Sequence, residues 1–492
     1  MLLTTADLAL FAEASGDRNP LHTSAEYARR TPFGGPVAHG VLAAVAALDE
    51  IATTVTVGGI HGVEVEFRQA TQPGITYETA FSREAGDRTR VTVSDGGALC
   101  LTITISHGAA EDVPYRPRAT RREPRVVTAD ELIPGFSVTG AYGPGSALDA
   151  LCERWPAAAR SLGRFPLTCL LWCSFLAGME LPGRDCLLNG FSLRLRPAAT
   201  MGPLELGYTA EVAEFDPRFG LLTVEGRLHG DAAAGPTVAE TTIETLVRRP
   251  MPGPSTERLL EFLPRSERLR GHTSAVVGGS RGLGAALVLA LASQGGRVLV
   301  GHRGTHADLA DLADLGSSLG GEVVSCAGDA TGARWSREIA HAADHALDLL
   351  ICSAAPPIRP LRLDPAGLDR VQEFVATAFA LVSAPMAGLL GAVSKASGRC
   401  LVVSSSAITA PPSDWPHYVA AKHAVEGLTG WAAAHHPDTE FFVARPGMLL
   451  TEQMNTPAGR DSAAEVEPVA AAMVRRVTDA TPATGRPELL TW

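Results

Sequence analysis

The stretch from Ser274 to Ala292 constrains this chain more than any other. A short apolar run, Ser274 to Val277, enters a turn of Gly278, Gly279, Ser280, Arg281, Gly282, Leu283 and Gly284, and the turn opens onto an apolar helix, Ala285 to Ala292. Strand, glycine turn and helix in that order let a pyrophosphate approach bare backbone at a helix N-terminus. A second constellation lies downstream. Tyr418 and Lys422 are spaced to stack on one face of a helix, where an ammonium beside a phenol favours the phenolate. A tyrosine tuned in this way is a general acid or base. Ser405, just after the apolar run Cys400 to Val403, is expected at a strand end, donating a hydrogen bond to the same substrate oxygen. Only two of the 42 basic residues are lysines, Lys395 and Lys422, which lowers the odds of such a pair arising by chance.

With Pro446-Gly447 and Thr451, these motifs make residues 271–492 resemble the short-chain dehydrogenase/reductase family. The resemblance implies a Rossmann-type α/β doubly wound parallel sheet. It implies Tyr418 as proton donor, Lys422 holding the nicotinamide ribose, Ser405 orienting a carbonyl and Thr451 near the nicotinamide amide. Gly278, Ser280, Arg281, Gly282 and Gly284 would carry the cofactor. After the second strand, Arg297 to Val300, the chain reads Gly301-His302-Arg303, with no acidic residue to accept from a ribose 2′-hydroxyl. Arg281 and Arg303 would instead clamp a 2′-phosphate, so the expected cofactor is NADP. Asp329, after the third strand, is expected at the adenine amide. Two departures stand out. Cys352-Ser353-Ala354-Ala355 replaces the family's Asn-Asn-Ala-Gly, and the helix asparagine that helps hold a relay water should fall near Phe374, yet no asparagine occurs between Asn189 and Asn455.

At 492 residues the chain is too long for one core, and length suggests about three domains. A net charge of −11 argues against a nucleic-acid partner, which needs concentrated positive charge. The eight cysteines are scattered without a Cys-x-x-Cys pair or a histidine at zinc spacing, so neither a disulfide framework nor a metal site is suggested, and a reducing cytoplasm is the natural setting. The N-terminus lacks a basic start and carries Asp7, Glu13 and Asp17, the pattern of an amphipathic helix and not of an export signal. The apolar run Leu167 to Met179 is too short to span a bilayer, so no membrane partner is expected.

Near the N-terminus, Asp17-Arg18-Asn19-Pro20-Leu21-His22 reads as a loop, because Asn-Pro is a turn signal. Asp17 and His22 can then converge. A carboxylate and an imidazole together activate a water, one taking its proton while the other protonates the adjacent carbon. Phe33-Gly34-Gly35-Pro36-Val37-Ala38-His39-Gly40 follows and leads into the apolar helix Val41 to Leu48, whose first amides form an oxyanion site for a thioester carbonyl. Val63, Val65 and Phe67 then alternate with polar residues, and further strands are expected at Thr76 to Phe81, Arg90 to Val93 and Leu99 to Ile105. The block SGDRNPLHTSAEYA with FGGPVAHGVL resembles the MaoC-like, (R)-specific enoyl-thioester hydratases of the hotdog fold. The resemblance implies Asp17 and His22 as the catalytic pair and Gly40 as the oxyanion residue. His39 is read as structural.

Residues 107 to 130, rich in Arg and Pro, read as a linker. From 131 to 250 the pattern recurs: an apolar helix at Leu167 to Met179, the alternation Phe191, Leu193, Leu195, and strands at Leu204 to Val212, Leu221 to Leu228 and Val238 to Val247. No Asp and His pair precedes this helix. The expected architecture is multidomain: a catalytic hotdog at 1–110 and a degenerate second one at 131–250 (together a double hotdog, α+β), then the reductase-like domain at 271–492. An unrelated α+β domain is the alternative for the middle unit. The implied chemistry is NADPH-dependent reduction of a 3-oxoacyl thioester followed by dehydration of the (R)-3-hydroxyacyl product, on acyl-CoA or an acyl-carrier protein, with a homo-oligomer formed through the reductase domain. The rival readings are flow in the oxidative direction, or a hydratase whose reductase-like part is a scaffold.

Overall fold

A computed structural model describes residues 1–53, 60–108, 113–116, 123–196, 203–230, 235–303, 307–479 and 485–491. The chain divides into two compact units, Met1–Arg249 and Pro250–Trp492.

In the first unit the helix Gly40–Ala52 precedes β1 (Ile60–Phe67), β2 (Glu78–Glu84), β3 (Arg88–Asp95) and β4 (Ala98–His107). After β5 (Ser137–Ala141), the helix Arg164–Phe175, prolonged by the π-helical turn Leu176–Glu180, precedes β6 (Cys186–Leu195), β7 (Gly207–Asp216), β8 (Leu221–His229) and β9 (Thr237–Val247). All nine strands form one sheet in the order β2-β3-β4-β1-β6-β9-β8-β7-β5. The second set of four strands therefore repeats the winding of the first, and the halves join where β1 pairs antiparallel with β6. That seam sets Val63 opposite Leu193 and Val65 opposite Phe191, all four buried. Burying each such side chain contributes about 1.5–3 kcal/mol, and pairing removes two strand edges that would otherwise be exposed.

Both helices are apolar nearly all round, as suits helices enclosed by sheet and chain. Val41 to Leu48 are buried without interruption, as are Phe165 to Glu180. One core cluster runs through both halves. Part of the stretch expected to be a linker is packed against this body: Arg125 pairs with the buried Glu180, and the Arg125 N–H donates to the Met179 carbonyl at 2.9 Å. Within the same expected linker, residues 109–112 and 117–122 lie outside the described residues.

The second unit holds β10 (Thr273–Val277), β11 (Arg297–His302), β12 (Glu322–Ala327), β13 (Leu349–Cys352), β14 (Arg399–Val403), β15 (Glu440–Arg445) and β16 (Glu488–Thr491). They are parallel, in the order β12-β11-β10-β13-β14-β15-β16. The strand order reverses between β10 and β13. In open sheets of this kind ligands bind at that reversal, outside the carboxyl ends of the strands. The helix Leu368–Lys395 contains an 18-residue window of mean hydropathy 1.8 and is long and apolar enough to cross a membrane. Here it is the crossover between the neighbouring parallel strands β13 and β14, burying Val382, Met386, Leu389, Leu390 and Val393, although only 28% of its apolar window is buried.

Candidate active site

The N-terminal helix Thr5–Ser15 stops at Gly16, which takes the left-handed conformation (φ 75), and Asp17 follows, its N–H held by Ser15 Oγ at 3.0 Å. The expected loop is in part a helix: Pro20 opens the single turn Pro20–Thr23, capped by Asn19, whose Oδ1 accepts from the Leu21 N–H at 3.0 Å. Proline is accepted at a first helical position because its missing N–H has no intrahelical acceptor there. The turn brings His22 to Asp17. A carboxylate oxygen of Asp17 and ring nitrogens of His22 and His39 lie within 4.8 Å of one another.

Burial disfavours the charged form of both groups. Asp17, 2% exposed, has its carboxyl pushed up by loss of water, against the pull of His22, Ser174 and the Asn19 N–H. Burial pushes the His22 imidazole down to about 3, with His39 adding to the effect. His22 Nδ1 lies 2.8 Å from the Val37 carbonyl. A carbonyl can only accept, so Nδ1 carries the proton and Nε2 keeps its lone pair. The three donors do not suit a metal ion: the His22 and His39 rings stack at 3.9 Å with 28° between their planes. Their in-plane lone pairs run side by side and cannot converge on one centre at the ~2.0–2.1 Å that a ring nitrogen requires. The site opens into a cavity of about 210 Å³ lined by Asp17, His22, Gly40, Phe67 and Ser174 among others. Gly40 is the first residue of its helix, where the N–H has no intrahelical acceptor, and a Cβ there would meet the Phe67 ring at 2.6 Å.

The middle of the chain supplies residues that sequence reasoning missed. Ser174, buried in the second apolar helix, donates from Oγ to Asp17 Oδ2 at 2.7 Å. Asn19 Nδ2 donates to the carbonyls of Gly178 and Gly183, each at 3.0 Å, tying the Asp17–His22 turn to the end of that helix. Gly178 sits so close that a Cβ would lie 2.3 Å from Asp17 Oδ1. A signal was present, since a serine inside an otherwise apolar helix needs a partner.

In the second unit every residue singled out from sequence follows the carboxyl end of a strand or lies on an adjoining helix. Gly278 follows β10, and the helix Gly282–Ser293 rises from the turn; a Cβ on Gly284 would lie 2.0 Å from the Gly278 carbonyl oxygen, so only glycine permits this approach. Ser280 lies within the turn and Arg281 takes the N-cap position of the helix without a side-chain capping bond. Arg303 follows β11 and Asp329 follows β12, where Thr331 donates to the Asp329 carboxylate from both its N–H and its hydroxyl. Those bonds, with the Arg303 charge, hold the Asp329 carboxyl below its usual range. Thr451 packs against Gly282, with Cγ2 3.1 Å from where a Cβ would stand. Ser405 follows β14 and caps the short turn Ser406–Ile408, accepting from the Ala407 N–H at 3.1 Å. Tyr418 and Lys422 share the helix Pro416–His435; Lys422 Nζ lies 5.4 Å from the Tyr418 ring centroid and donates to the Val403 carbonyl at 2.8 Å. Phe374 stands edge-on to His417, with ring centroids 4.4 Å apart. His417 is fully buried, neither ring nitrogen has a partner, and burial lowers it to about 4.

Residues 1–97 match the family described as MaoC like domain, and residues 272–461 match short chain dehydrogenase. Over 42 residues the chain is 50% identical to a 3-hydroxybutyryl-CoA dehydratase of Methylorubrum extorquens; the match covers 8% of this chain and 27% of that protein. Two solved structures are similar. One is an alcohol dehydrogenase from the archaeon Thermococcus sibiricus complexed with 5-hydroxy-NADP, at 21% identity over 45% of this chain and 95% of that one, with a TM-score of 0.39. The other is a 3-oxoacyl-[acyl-carrier protein] reductase with bound NAD from Brucella melitensis, at 20% identity over 47% and 94%, with a TM-score of 0.40. The chain thus carries a MaoC-like dehydratase domain at its N-terminus and a short-chain dehydrogenase domain at its C-terminus.

Proposed function

We propose that the chain is a bifunctional, cytoplasmic acyl-thioester enzyme that reduces a 3-oxoacyl thioester and dehydrates the (R)-3-hydroxyacyl product to the 2-enoyl thioester, in a polyketide or fatty-acid-like biosynthesis. Residues 1–110 and 131–250 form a double hotdog in this reading, a view supported by the repeated winding, and 271–492 form the reductase. The observation that carries it is the convergence of Asp17 and His22 on one cavity beside the bare N–H of Gly40. In hydration the neutral His22 takes a proton of water at Nε2 as the water oxygen bonds to the second carbon from the thioester carbonyl, the Asp17 carboxylic acid gives its proton to the carbon next to that carbonyl, and the Gly40 N–H holds the thioester oxygen. Hydration thus starts from carboxylic acid and neutral imidazole, the forms that burial favours. Dehydration runs the same steps backwards, from carboxylate and imidazolium.

The glycine turn fits a dinucleotide, because the close approach of Gly284 to Gly278 leaves backbone and no side chain at the start of a buried helix. Gly278, Ser280, Gly282 and Gly284 would hold the pyrophosphate, Arg281 and Arg303 a 2′-phosphate, Asp329 the adenine, and Lys422 and Thr451 the nicotinamide end. When bound, NADPH supplies the hydride. Tyr418 gives a proton to the substrate oxygen and Ser405 donates a hydrogen bond to it. The apolar contact of Phe374 with His417 favours a second reading, in which the reductase-like domain is impaired and only the hydratase turns over.

Incubating the full chain with 3-oxobutanoyl-CoA or its carrier-protein thioester, with NADPH or NADH, decides between them. The primary reading expects oxidation of NADPH faster than of NADH, and appearance of the enoyl thioester. Hydration of an enoyl thioester without consumption of either nucleotide would favour the second.

A further inference from the structure

The three residues Val37 to His39 grip His22 twice. The Val37 carbonyl accepts from His22 Nδ1, and the His39 ring lies flat on the His22 ring. His39 is wholly buried and precedes the helix Gly40–Ala52, yet its side chain makes no cap to that helix. Its Nε2 points instead to the Asp17 carbonyl at 3.0 Å. That acceptor fixes the proton on Nε2 and leaves Nδ1 as a bare lone pair, which has no partner. Phe11 leans on His39 at a tilt of 44°, with ring centroids 4.7 Å apart. The segment is itself pinned, the Ala38 N–H donating to the Thr71 carbonyl at 2.8 Å.

Resting on the assignment of Asp17 and His22 as the catalytic pair, we infer that His39 is a positioning residue for hydration, fixing both members at once: the backbone of Asp17 through its N–H and the ring of His22 through the stack. A residue that only filled space would need no nitrogen here. An orphaned buried acceptor costs free energy, and phenylalanine would occupy the same slot without one. The His39 ring also covers a face of His22 that water would otherwise reach, which helps keep that imidazole uncharged at neutral pH. The charged or titratable groups that act on His22 are His39, Asp17 and the Arg248 guanidinium. His39 is itself held down to about 3 by burial, so it adds no charge of its own near neutrality.

The test is hydration of 2-butenoyl-CoA by the full chain across pH, beside thermal unfolding. His39→Asn keeps a donor but removes the stack; His39→Phe keeps the stack but removes the donor. Wild type is expected to show no fall in kcat as pH drops through the ordinary histidine value of ~6.5, whereas His39→Asn bends downward there. Its plateau kcat should fall by about 10²-fold, the scale of a misplaced catalytic group, with KM little changed. His39→Phe should lose kcat without that bend. Two folded variants with wild-type kcat and no bend overturn the inference, as do equal losses with no bend in either. Should His39→Asn fail to fold, Phe11→Leu loosens the stack from its far side and must bend the profile the same way; an unbent profile counts against the stack. Asp17→Asn is the control for the underlying reading: if it hydrates like wild type, the catalytic pair itself is misassigned, whatever His39 does.

Discussion

Asp17 shows how one buried carboxyl is set in part by residues outside its local motif. Its Oδ2 accepts from Ser174, its Oδ1 accepts from the Asn19 N–H at 3.2 Å, and Gly178 leaves the room that both oxygens occupy. Dehydration needs the carboxylate, and the Ser174 hydroxyl favours that form against burial. In Ser174→Ala the donor is gone, so the carboxyl is pushed further up and the acid limb of dehydration moves to higher pH. A pH–rate profile measures it; an unmoved limb would mean that Ser174 only fills space. Gly178→Ala is the steric counterpart. Its methyl would displace the carboxylate, and kcat should drop by about 10²-fold, although alanine is the better helix former by about 1 kcal/mol. Neither effect was visible from the sequence, because Asp17 and Ser174 meet only once the second helix is folded beside the first.

At the level of elements, much of the fold was legible. The helix and alternating strands of the first half, and their recurrence near Phe191, Leu193 and Leu195, follow from periodicities of 3.6 and 2 and reappear as helix Gly40–Ala52 with β1 and helix Arg164–Phe175 with β6. The glycine turn after β10 and the helix carrying Tyr418 and Lys422 were equally clear, since each depends on residues close in sequence. What could not be read was long-range. Nothing local says that β1 and β6 pair, that Arg125 returns to Glu180, or that one core spans both halves. The helix Leu368–Lys395 shows the same limit, its composition alone being compatible with a membrane span. The seam makes a prediction. A chain lacking 131–250 loses β6, the neighbour that buries one edge of β1, and with it Ser174. It should aggregate on expression and, where soluble, hydrate enoyl-CoA poorly; a soluble deletion variant with full hydratase activity would refute the role given to the seam.

For the whole molecule the question is why two chemistries share a chain. The product of the proposed reduction is the substrate of the proposed dehydration, and tethering two sites raises the local concentration of a shared intermediate without any new contact. The residues proposed for each site fall within one unit: Asp17, His22, Gly40 and Ser174 lie in Met1–Arg249, whereas Ser405, Tyr418, Lys422 and the glycine turn lie in Pro250–Trp492. They should therefore fail separately. Asp17→Asn keeps the shape of the side chain but cannot take the proton, so dehydration should fall by at least the ~10²–10⁴-fold that acid–base catalysis supplies. NADPH should still be consumed with a 3-oxoacyl thioester, and the 3-hydroxyacyl thioester should accumulate. Tyr418→Phe removes the proton donor and should stop NADPH consumption, while the same protein still interconverts enoyl and (R)-3-hydroxyacyl thioesters at the wild-type rate. Following nucleotide and both thioesters in one reaction distinguishes the outcomes. Loss of both activities in either single variant would show that the two sites depend on each other, and the tethered-sites account would have to give way to a single coupled centre.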